Sequence, residues 1–263
     1  MESSLFSTFA PLLRDLSQDA LLAEIETPEK LLLASDNFRG RRIDVAYSAF
    51  DFVNKNADVV IVGVTPGRQQ MRNALLEAQR CLKSGMSEME AMKAAKVFAS
   101  FSGPMRSNLV AMLDAVGVAR TLGLSSTASL WNTDANRVHF TSALRYPVFV
   151  DGGNYSGAPS MLSVPVLQSQ LKRWFTAEMI TLPNAVFIPL GPNVAEAIET
   201  VAGDVGLSTN RILSGLPHPS GANAERIAFF LGRKRREELS SKVSPERLLA
   251  ARQALDAKIA SWV

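Results

Sequence analysis

A histidine stands between two prolines in the segment RILSGLPHPSGANAERIAFFLGRKRR, which covers residues 211 to 236. This residue is His218, one of two histidines in the chain. A proline fixes its own φ angle and keeps the preceding residue out of the helical region, so Pro217 and Pro219 predict a stiff turn around the imidazole. Such a turn holds the imidazole in place. Taken alone, a His-Pro pair is more often structural than catalytic.

A second turn with the composition of a ligand-binding loop runs from Gly63 to Gly67 and has the sequence GVTPG. It follows the apolar run ADVVIVGV, and glycine at such a place lets the backbone approach a ligand closely. In open α/β sheets the ligand crevice lies beyond the carboxyl ends of the strands. Because both turns follow apolar runs, we expect both at that edge of a sheet.

Four short apolar runs predict the strands of this sheet, since turn residues bound each run and helical patterns separate them. The predicted strands are residues 58 to 64, 138 to 143, 185 to 190 and 211 to 216, and an edge strand is expected within residues 41 to 52. The predicted helices are residues 3 to 16, 68 to 83, 87 to 99, 104 to 118, 165 to 180, 192 to 203, 224 to 241 and 245 to 261. This alternation predicts an α/β fold with parallel strands.

The composition is typical of a soluble globular protein. Of the 263 residues, 47% are hydrophobic and 20% are charged, which is enough apolar material for a sizeable core. The apolar runs are too short to cross a membrane and the N-terminus lacks the pattern of a secretory signal, so we expect a cytoplasmic protein with no membrane partner. A single cysteine, Cys81, excludes an internal disulfide and a cysteine-only metal site. We expect no metal and no cofactor.

The two turns together resemble the motifs of the uracil-DNA glycosylase superfamily. Its members pair a Gly-x-x-Pro-Gly turn after the first strand with a His-Pro-Ser turn after the last, and this chain has GVTPG from residue 63 and HPS from residue 218. FSGPMRSNLV, from residue 101, is similar to the family segment that supplies an aromatic ring. HFTSALRYP, from residue 139, is similar to the strand that ends in a base-reading asparagine. The resemblance covers about residues 58 to 232.

The resemblance implies a three-layer α-β-α sandwich with a central four-stranded, mainly parallel sheet. It implies one domain over residues 1 to 263, with helical extensions at both ends and a helical insertion at about residues 68 to 100. It also implies a metal-independent DNA glycosylase, which flips a base out of DNA and hydrolyses its N-glycosidic bond to leave an abasic site. The expected partner is then DNA, either duplex or single-stranded. The protein is expected to be a monomer. Its expected biological role is DNA repair or defence against phage.

The same resemblance implies roles for individual residues. His218 stabilises the negative charge on the departing base, and Thr65 stands where relatives place a residue that positions the attacking water. The residues expected to bind the base are Gly63, Val64, Pro66, Gly67, Phe101, Ser142 and Asn154. The residues expected to contact DNA are Arg68, Ser220, Gly221, Ala222, Asn223, Arg226, Arg233 and Lys234.

Two positions depart from the family pattern. Thr65 replaces an Asp or Asn and is a poor general base, because a neutral alcohol hardly accepts a proton at neutral pH. Asp51 and Asp151 are the alternatives for that role, although each is more typical of a surface or turn aspartate. Ser142 replaces the base-reading asparagine, and its shorter side chain predicts altered selectivity or room for a modified base.

The charge distribution has two interpretations. Residues 225 to 263 hold nine Lys or Arg against five Asp or Glu, and residues 233 to 236 are all basic. Such a cluster can neutralise DNA phosphates, but taken alone it is more typical of a solvated helix face. Two further functions stay open: a non-catalytic nucleic-acid-binding module on the same fold, and an enzyme that acts on a nucleoside or nucleotide.

Overall fold

The computed structural model describes residues 5–101 and 103–262, and within them the fold is mixed α/β. The helices are α1 (Leu5–Asp15), α2 (Gln18–Glu26), α3 (Arg68–Lys83), α4 (Glu88–Ala99), α5 (Pro104–Ala115), α6 (Val118–Thr121), α7 (Pro165–Gln170), α8 (Thr176–Thr181), α9 (Pro192–Val205), α10 (Ala224–Phe230) and α11 (Pro245–Ala260). The strands are β1 (Leu32–Phe38), β2 (Arg41–Ala46), β3 (Val59–Gly63), β4 (Val138–Ser142), β5 (Val148–Val150), β6 (Gly153–Asn154) and β7 (Val186–Pro189). Across the described ranges, no helix has the length and apolar character needed to cross a bilayer.

The strands form two sheets. The first has the order β1, β2, β5, β6 with antiparallel pairing, and Ile43 of β2 lies opposite Asp36 on one side and Val150 on the other. The second is a three-stranded parallel sheet in the order β4, β3, β7, in which Val59 pairs with Val186. Every residue of β3 and β7 is buried, as expected of strands in a parallel sheet.

The predicted strand at residues 211 to 216 is not a regular strand. Its residues make two isolated parallel bridges: Ile212 pairs with Phe187 of β7, and Leu216 pairs with Leu190, the residue after β7. Arg211 still belongs to a 3-10 turn, and Gly215 has a φ of +133°, which lies outside the range of regular strands. The expected four-stranded sheet is therefore a three-stranded sheet with a bridged segment beside β7.

The chain divides into two compact units. Unit 1 consists of Met1–Val53, Val64–Ser100 and Phe140–Thr181, and unit 2 consists of Asn54–Gly63, Phe101–His139 and Leu182–Val263. Each unit is therefore assembled from separate stretches of the sequence. The prediction of one domain over residues 1 to 263 stays a prediction.

In unit 1, α3 packs against α1, α2 and α4. Helices α3 and α4 are the two that the sequence predicts at residues 68 to 83 and 87 to 99. A capping box begins α4: the Ser87 hydroxyl accepts a hydrogen bond from the Glu90 amide at 3.3 Å, and the Glu90 carboxylate accepts one from the Ser87 amide at 2.9 Å. The predicted strand within residues 41 to 52 is confirmed as β2, but its predicted edge position is wrong, because β2 pairs with β1 on one side and with β5 on the other.

Two predicted helices differ from the observed ones. The helix expected at residues 165 to 180 contains a π-helical stretch, Leu171–Phe175, between α7 and α8. The helix expected at residues 224 to 241 ends at Phe230, because Gly232 adopts a φ of +69° and the Arg233 amide donates back to the Ala228 carbonyl at 2.8 Å. Residues 3 and 4 of the first predicted helix lie outside the described residues.

In unit 2, α11 supports the segment that leads to His218. The Lys258 ammonium donates to the Ile212 carbonyl at 2.8 Å and to the Thr209 carbonyl at 3.3 Å. At Gly215 a Cβ atom would come within 2.6 Å of the Ala251 carbonyl oxygen, so only glycine allows the two backbones to approach this closely.

Gly215→Ala should lower the free energy of unfolding by about 3 kcal/mol, because the methyl group meets the α11 backbone and alanine rarely adopts this φ. Urea denaturation of both proteins measures the difference. Gly203→Ala in α9 is the matched control: no atom lies within 4 Å of the added methyl, and we expect roughly 0.5–1 kcal/mol of stabilisation. Equal stability of the Gly215 variant and the wild type would contradict the close packing of this segment on α11.

Candidate functional site

His218 is half-buried in a turn between two buried prolines in unit 2. Its Nδ1 accepts a hydrogen bond from the Ser220 amide at 3.3 Å. Burial also lowers the pKa of His218 below its usual value, because a charged imidazolium is poorly solvated there. Burial therefore favours the neutral imidazole, and because Nδ1 accepts from the Ser220 amide, the proton of the neutral form belongs on Nε2. A neutral Nε2–H group is a hydrogen-bond donor that carries no net charge.

The start of α9 fixes one side of this histidine. Gly191, the residue before the first turn of α9, has φ +95° and ψ +161°, a conformation that is essentially restricted to glycine. A Cβ atom built at Gly191 would lie 3.6 Å from the His218 Cβ, so His218 lies beside this glycine. The N-terminus of a helix carries partial positive charge, which disfavours a protonated imidazole beside it and favours a negatively charged ligand.

Helix α5 fixes the other side of the turn. The Asn108 side-chain amide donates to the Pro219 carbonyl at 2.9 Å, and α10 packs against α5. Phe101 comes just before α5, so the structure places the predicted aromatic ring and His218 on linked elements of unit 2. Asn108 was missed by the sequence analysis, because a single asparagine in a helix gives no signal of its distant partner.

Phe101 has an unusual backbone conformation. Its φ is +46°, which is rare for a bulky residue, and its carbonyl accepts a hydrogen bond from the Arg106 guanidinium at 3.1 Å. Only 5% of the residue is exposed. A ring this buried offers little surface for stacking on a base, so the predicted stacking requires Phe101 or its neighbours to move.

The turn after His218 exposes two small residues. Gly221 and Ala222 are exposed, and no atom lies within 4 Å of a Cβ built at Gly221. Asn223 donates to the Ser220 hydroxyl at 3.2 Å and accepts from Arg226 at 3.2 Å. The turn is thus held by side-chain hydrogen bonds and presents Gly221 and Ala222 to solvent.

The basic cluster at residues 233 to 236 is largely paired with glutamates. Its ion pairs join Lys234 to Glu225 at 2.8 Å, Arg235 to Glu238 at 3.1 Å, and Arg236 to Glu246. The hydrogen bonds from Lys234 and Ser240 lower the pKa of Glu225 to about 2. Arg233 is exposed, and no ion pair of this side chain occurs in residues 5–101 and 103–262. These contacts leave Arg233 as the member of the cluster most available to a phosphate.

Gly63 ends β3 in unit 2, and the rest of the first predicted turn lies in unit 1. The Thr65 hydroxyl donates to the Tyr146 carbonyl at 2.9 Å, and the Val64 carbonyl accepts from the Leu144 amide at 3.0 Å. Pro66 is buried. Because the Thr65 hydroxyl donates its proton to the Tyr146 carbonyl, the lone pairs on its oxygen remain to accept a hydrogen bond from a ligand or water.

Asn154 and Arg68 hold the start of α3. The Asn154 side-chain oxygen accepts a hydrogen bond from the Arg68 amide at 2.9 Å and lies close to Gly67. The Arg68 guanidinium donates to the carbonyls of Glu26 at 2.6 Å and Gly152 at 2.7 Å, and also to that of Ile25. It also lies 4.3 Å above the Phe149 ring. Arg68 therefore has a structural role in unit 1, and contact with DNA would require these bonds to break.

Ser142 is the half-buried last residue of β4. The structure shows no side-chain hydrogen bond of Ser142 to the described residues. Next to it, the Thr141 hydroxyl is buried and likewise has no hydrogen-bond partner in the described part of the chain. Buried hydroxyls are normally paired, so the end of β4 has unused hydrogen-bonding capacity.

The two aspartates proposed as alternatives to Thr65 differ sharply. Asp151 is an exposed turn residue with φ +51°, and its carboxylate accepts hydrogen bonds from the Arg41 side chain and the Arg42 amide, both at 2.9 Å. Asp51 is 8% exposed, and its carboxylate accepts hydrogen bonds from the Tyr47 hydroxyl at 3.2 Å and the Tyr146 hydroxyl at 2.9 Å. Asp51 belongs to a buried polar cluster that the sequence analysis did not predict.

No group of three or more His, Cys, Asp or Glu side chains in the described ranges is arranged to hold a metal ion. Of the predicted site residues, His218 and Phe101 belong to unit 2, whereas Thr65, Ser142 and Asn154 belong to unit 1.

The chain is similar to an uncharacterized bacterial protein. Over 218 residues the chain is 36% identical to the uncharacterized protein YoxB of Bacillus subtilis (strain 168), and the match covers 80% of this chain and 84% of that protein. The chain belongs to the YoxB family. No family model matches this YoxB-family chain, and no solved structure matches it.

In this YoxB-family protein we expect His218 to be neutral at pH 7 with its proton on Nε2, and to titrate below the usual value of about 6.5. Long-range ¹H–¹⁵N NMR of histidine-labelled protein reports the tautomer and the pKa. His218→Gln assigns the spectrum, because His139 is then the single remaining histidine.

Stability should follow the same titration. The folded-state pKa of His218 is below the unfolded value, so the unfolded chain takes up a proton more readily. The corresponding contribution to the free energy of unfolding is fully present above about pH 6.5 and is lost as the pH falls through the folded-state pKa. His218→Gln should lack this contribution. A proton on Nδ1, or a pKa above the usual value, would contradict the geometry of the turn.

Proposed function

We propose that this YoxB-family chain is a DNA glycosylase of the uracil-DNA glycosylase type, with the three-layer fold of that superfamily. Its substrate is a uracil-like or modified base, and hydrolysis of the N-glycosidic bond leaves an abasic site. The single observation that carries the proposal is the placement of His218: its Nδ1 accepts from the Ser220 amide, and its turn is tied to Gly191 through Leu216 on one side and to Asn108 on the other.

The chemistry of the reaction explains why such a histidine is useful. As the bond between the sugar C1′ and the base nitrogen breaks, its electron pair stays with the base and positive charge develops on the sugar. The Nε2–H group of His218 stabilises the negative charge by donating a hydrogen bond to a base oxygen, and the start of α9 adds favourable electrostatic potential. Water adds to C1′, and its proton leaves to solvent or to the base.

Thr65 contributes by orienting water in this proposal. Its proton is held by the Tyr146 carbonyl, so the hydroxyl accepts a hydrogen bond from the water and leaves a water lone pair for the attack. A threonine does not remove the proton, because a neutral alcohol is too weak a base. Most of the rate enhancement must then come from stabilisation of the leaving base.

Ser142 favours a modified base over uracil itself. A serine lacks the paired donor and acceptor of an asparagine amide, and its shorter side chain occupies less space. Together with the unpaired hydroxyl of Thr141, it can form hydrogen bonds with a larger polar substituent. A bulky modified cytosine fits this description, which connects the proposed activity with defence against phage as well as with repair.

The ion pairs of the basic cluster favour a second candidate, an enzyme that acts on a free nucleoside or nucleotide. Three of the four basic side chains at residues 233 to 236 are paired with glutamates, which reduces their use in binding a DNA backbone. Turnover of free nucleosides without affinity for DNA would support this candidate. A non-catalytic DNA-binding module is the third: it predicts salt-sensitive binding that persists in His218→Ala and no base release by the wild type.

Loss of the His218 side chain should lower kcat for base release about 100-fold or more. The assay uses oligonucleotides that carry uracil, hypoxanthine or modified cytosines, followed by alkaline cleavage of the abasic product. His218→Gln should retain part of the activity lost in His218→Ala, because its side-chain amide can still donate a hydrogen bond. If all substrates stay intact while a control glycosylase cleaves them, the proposed function fails.

DNA binding should depend more on Arg233 than on its paired neighbours. Arg233→Gln should reduce the magnitude of the slope of log affinity against log salt concentration by about 1, the contribution of one phosphate contact. Arg235→Gln is the matched control: the Arg235 guanidinium is already engaged by Glu238, and we expect a smaller change. Fluorescence anisotropy with a labelled oligonucleotide over a range of salt concentrations measures both slopes. Equal slopes would mean that the ion pairs do not limit the contact with DNA.

A further inference from the structure

The carboxylate of Asp51 is enclosed by hydrogen-bond donors within unit 1. One oxygen accepts from the Tyr146 hydroxyl at 2.9 Å, the other accepts from the Tyr47 hydroxyl at 3.2 Å, and the residue is 8% exposed. A general base must reach the proton that it removes. Since both oxygens of Asp51 are engaged by phenols and shielded from solvent, this carboxylate is poorly placed to contact a water itself.

Two basic side chains, Arg145 and Lys96, interact electrostatically with the carboxylate of Asp51. The Arg145 guanidinium pairs with Glu178 at 2.6 Å, and the Lys96 ammonium donates to the Phe52 carbonyl at 2.6 Å. The pKa of Asp51 is raised, because burial outweighs the opposing hydrogen bonds from Tyr146 and Tyr47 and the charges of Arg145 and Lys96. A buried polar group with these partners is costly to leave unpaired, so the hydrogen bonds favour one arrangement of the cluster.

The ring of Tyr146 is held by its neighbours as well as by Asp51. It makes an edge contact with the Trp174 ring at 5.5 Å between centroids and a tilted contact with the Tyr47 ring at 5.7 Å. Tyr47 in turn stacks on Phe9 at 4.0 Å. Tyr146 therefore has its hydroxyl fixed by Asp51 and its ring fixed by packing, and its carbonyl accepts the proton of Thr65.

We propose that Asp51 is a positioning residue for Thr65 and acts through Tyr146. The carboxylate fixes the phenol, the fixed residue presents its carbonyl to Thr65, and the Thr65 hydroxyl is thereby kept as an acceptor for the attacking water. The inference rests on the proposed function, because it assigns Asp51 a part in the same reaction. It differs from the assignment of Asp51 as the general base, in which the carboxylate would take a proton from the water.

Substitutions at Asp51 separate positioning from base catalysis. In Asp51→Asn the side-chain oxygen can still accept from Tyr146 and the amide can donate to the Tyr47 oxygen, so we expect kcat to stay within about threefold of the wild type. Asp51→Ala removes both contacts and should lower kcat about tenfold or more. Equal large losses in both variants would assign Asp51 as the base and overturn the positioning role.

A double-mutant cycle tests the path from Tyr146 to Thr65 and remains available if Asp51→Ala fails to fold. Tyr146→Phe alone should lower kcat by about tenfold with little change in KM, and it should have almost no further effect in Thr65→Val. Thr181→Val is the matched control, because Thr181 also donates its hydroxyl proton to a backbone carbonyl, that of Ala177 at 2.7 Å. In the Thr181→Val background, Tyr146→Phe should still lower kcat by about tenfold.

The outcomes of the cycle distinguish the two proposals. Additive effects of Tyr146→Phe and Thr65→Val, with an active wild-type enzyme, would overturn the positioning role and leave the glycosylase function intact. An inactive wild type on every substrate would overturn the glycosylase function and the role of Asp51 with it. Coupling to Thr65 without coupling to Thr181 supports the inference.

Discussion

Two main-chain hydrogen bonds hold the backbone of residues 211 to 216, which leads to His218: one joins it to β7 and the other joins it to the residue before α9. The Leu213 amide donates to the Phe187 carbonyl at 2.8 Å, and the Gly191 amide donates to the Leu216 carbonyl at 3.0 Å. They place Leu216 beside the start of α9, so that the histidine two residues later lies next to Gly191. The two prolines and the hydrogen bond from Asn108 then stiffen a turn whose position these main-chain bonds already fix.

The sequence predicts the elements whose signals are local and misses those that depend on distant partners. The apolar runs of β3 and β7 predict buried parallel strands, and the structure confirms both. The antiparallel sheet in unit 1 was not predicted, because β1 has the sequence LLASDNF, which is neither continuously apolar nor alternating, and β2 pairs with β5, about a hundred residues further along the chain. The irregular segment before His218 was predicted as a strand, since its hydrophobic pattern does not reveal the φ of Gly215.

The same distinction applies to the candidate site. The rigidity of the His218 turn follows from its prolines and could be predicted from the sequence. Gly191 follows the predicted strand at residues 185 to 190, so its place at the same edge of the sheet could be predicted as well. The contact of Asn108 with residue 219 could not, because nothing in its local sequence points to that partner. The charge run at residues 233 to 236 was visible in the sequence, but Glu225 and Glu246, which pair with two of its members, come together with it only in the folded chain. A count of basic residues along the sequence therefore overestimates the positive electrostatic potential at the surface of the folded chain.

In the proposed reaction the two candidate groups are neutral, and this constrains how the rate enhancement arises. A neutral hydroxyl at Thr65 cannot remove a proton, and a neutral imidazole at His218 donates a hydrogen bond without bringing a full positive charge to the base. Water is a weak nucleophile without a base, so bond cleavage must run ahead of water attack. The reaction then depends on how well the departing base carries negative charge. Bases whose anions are stabilised by carbonyl groups meet this requirement, in agreement with the uracil-like or modified pyrimidine substrates of the proposal.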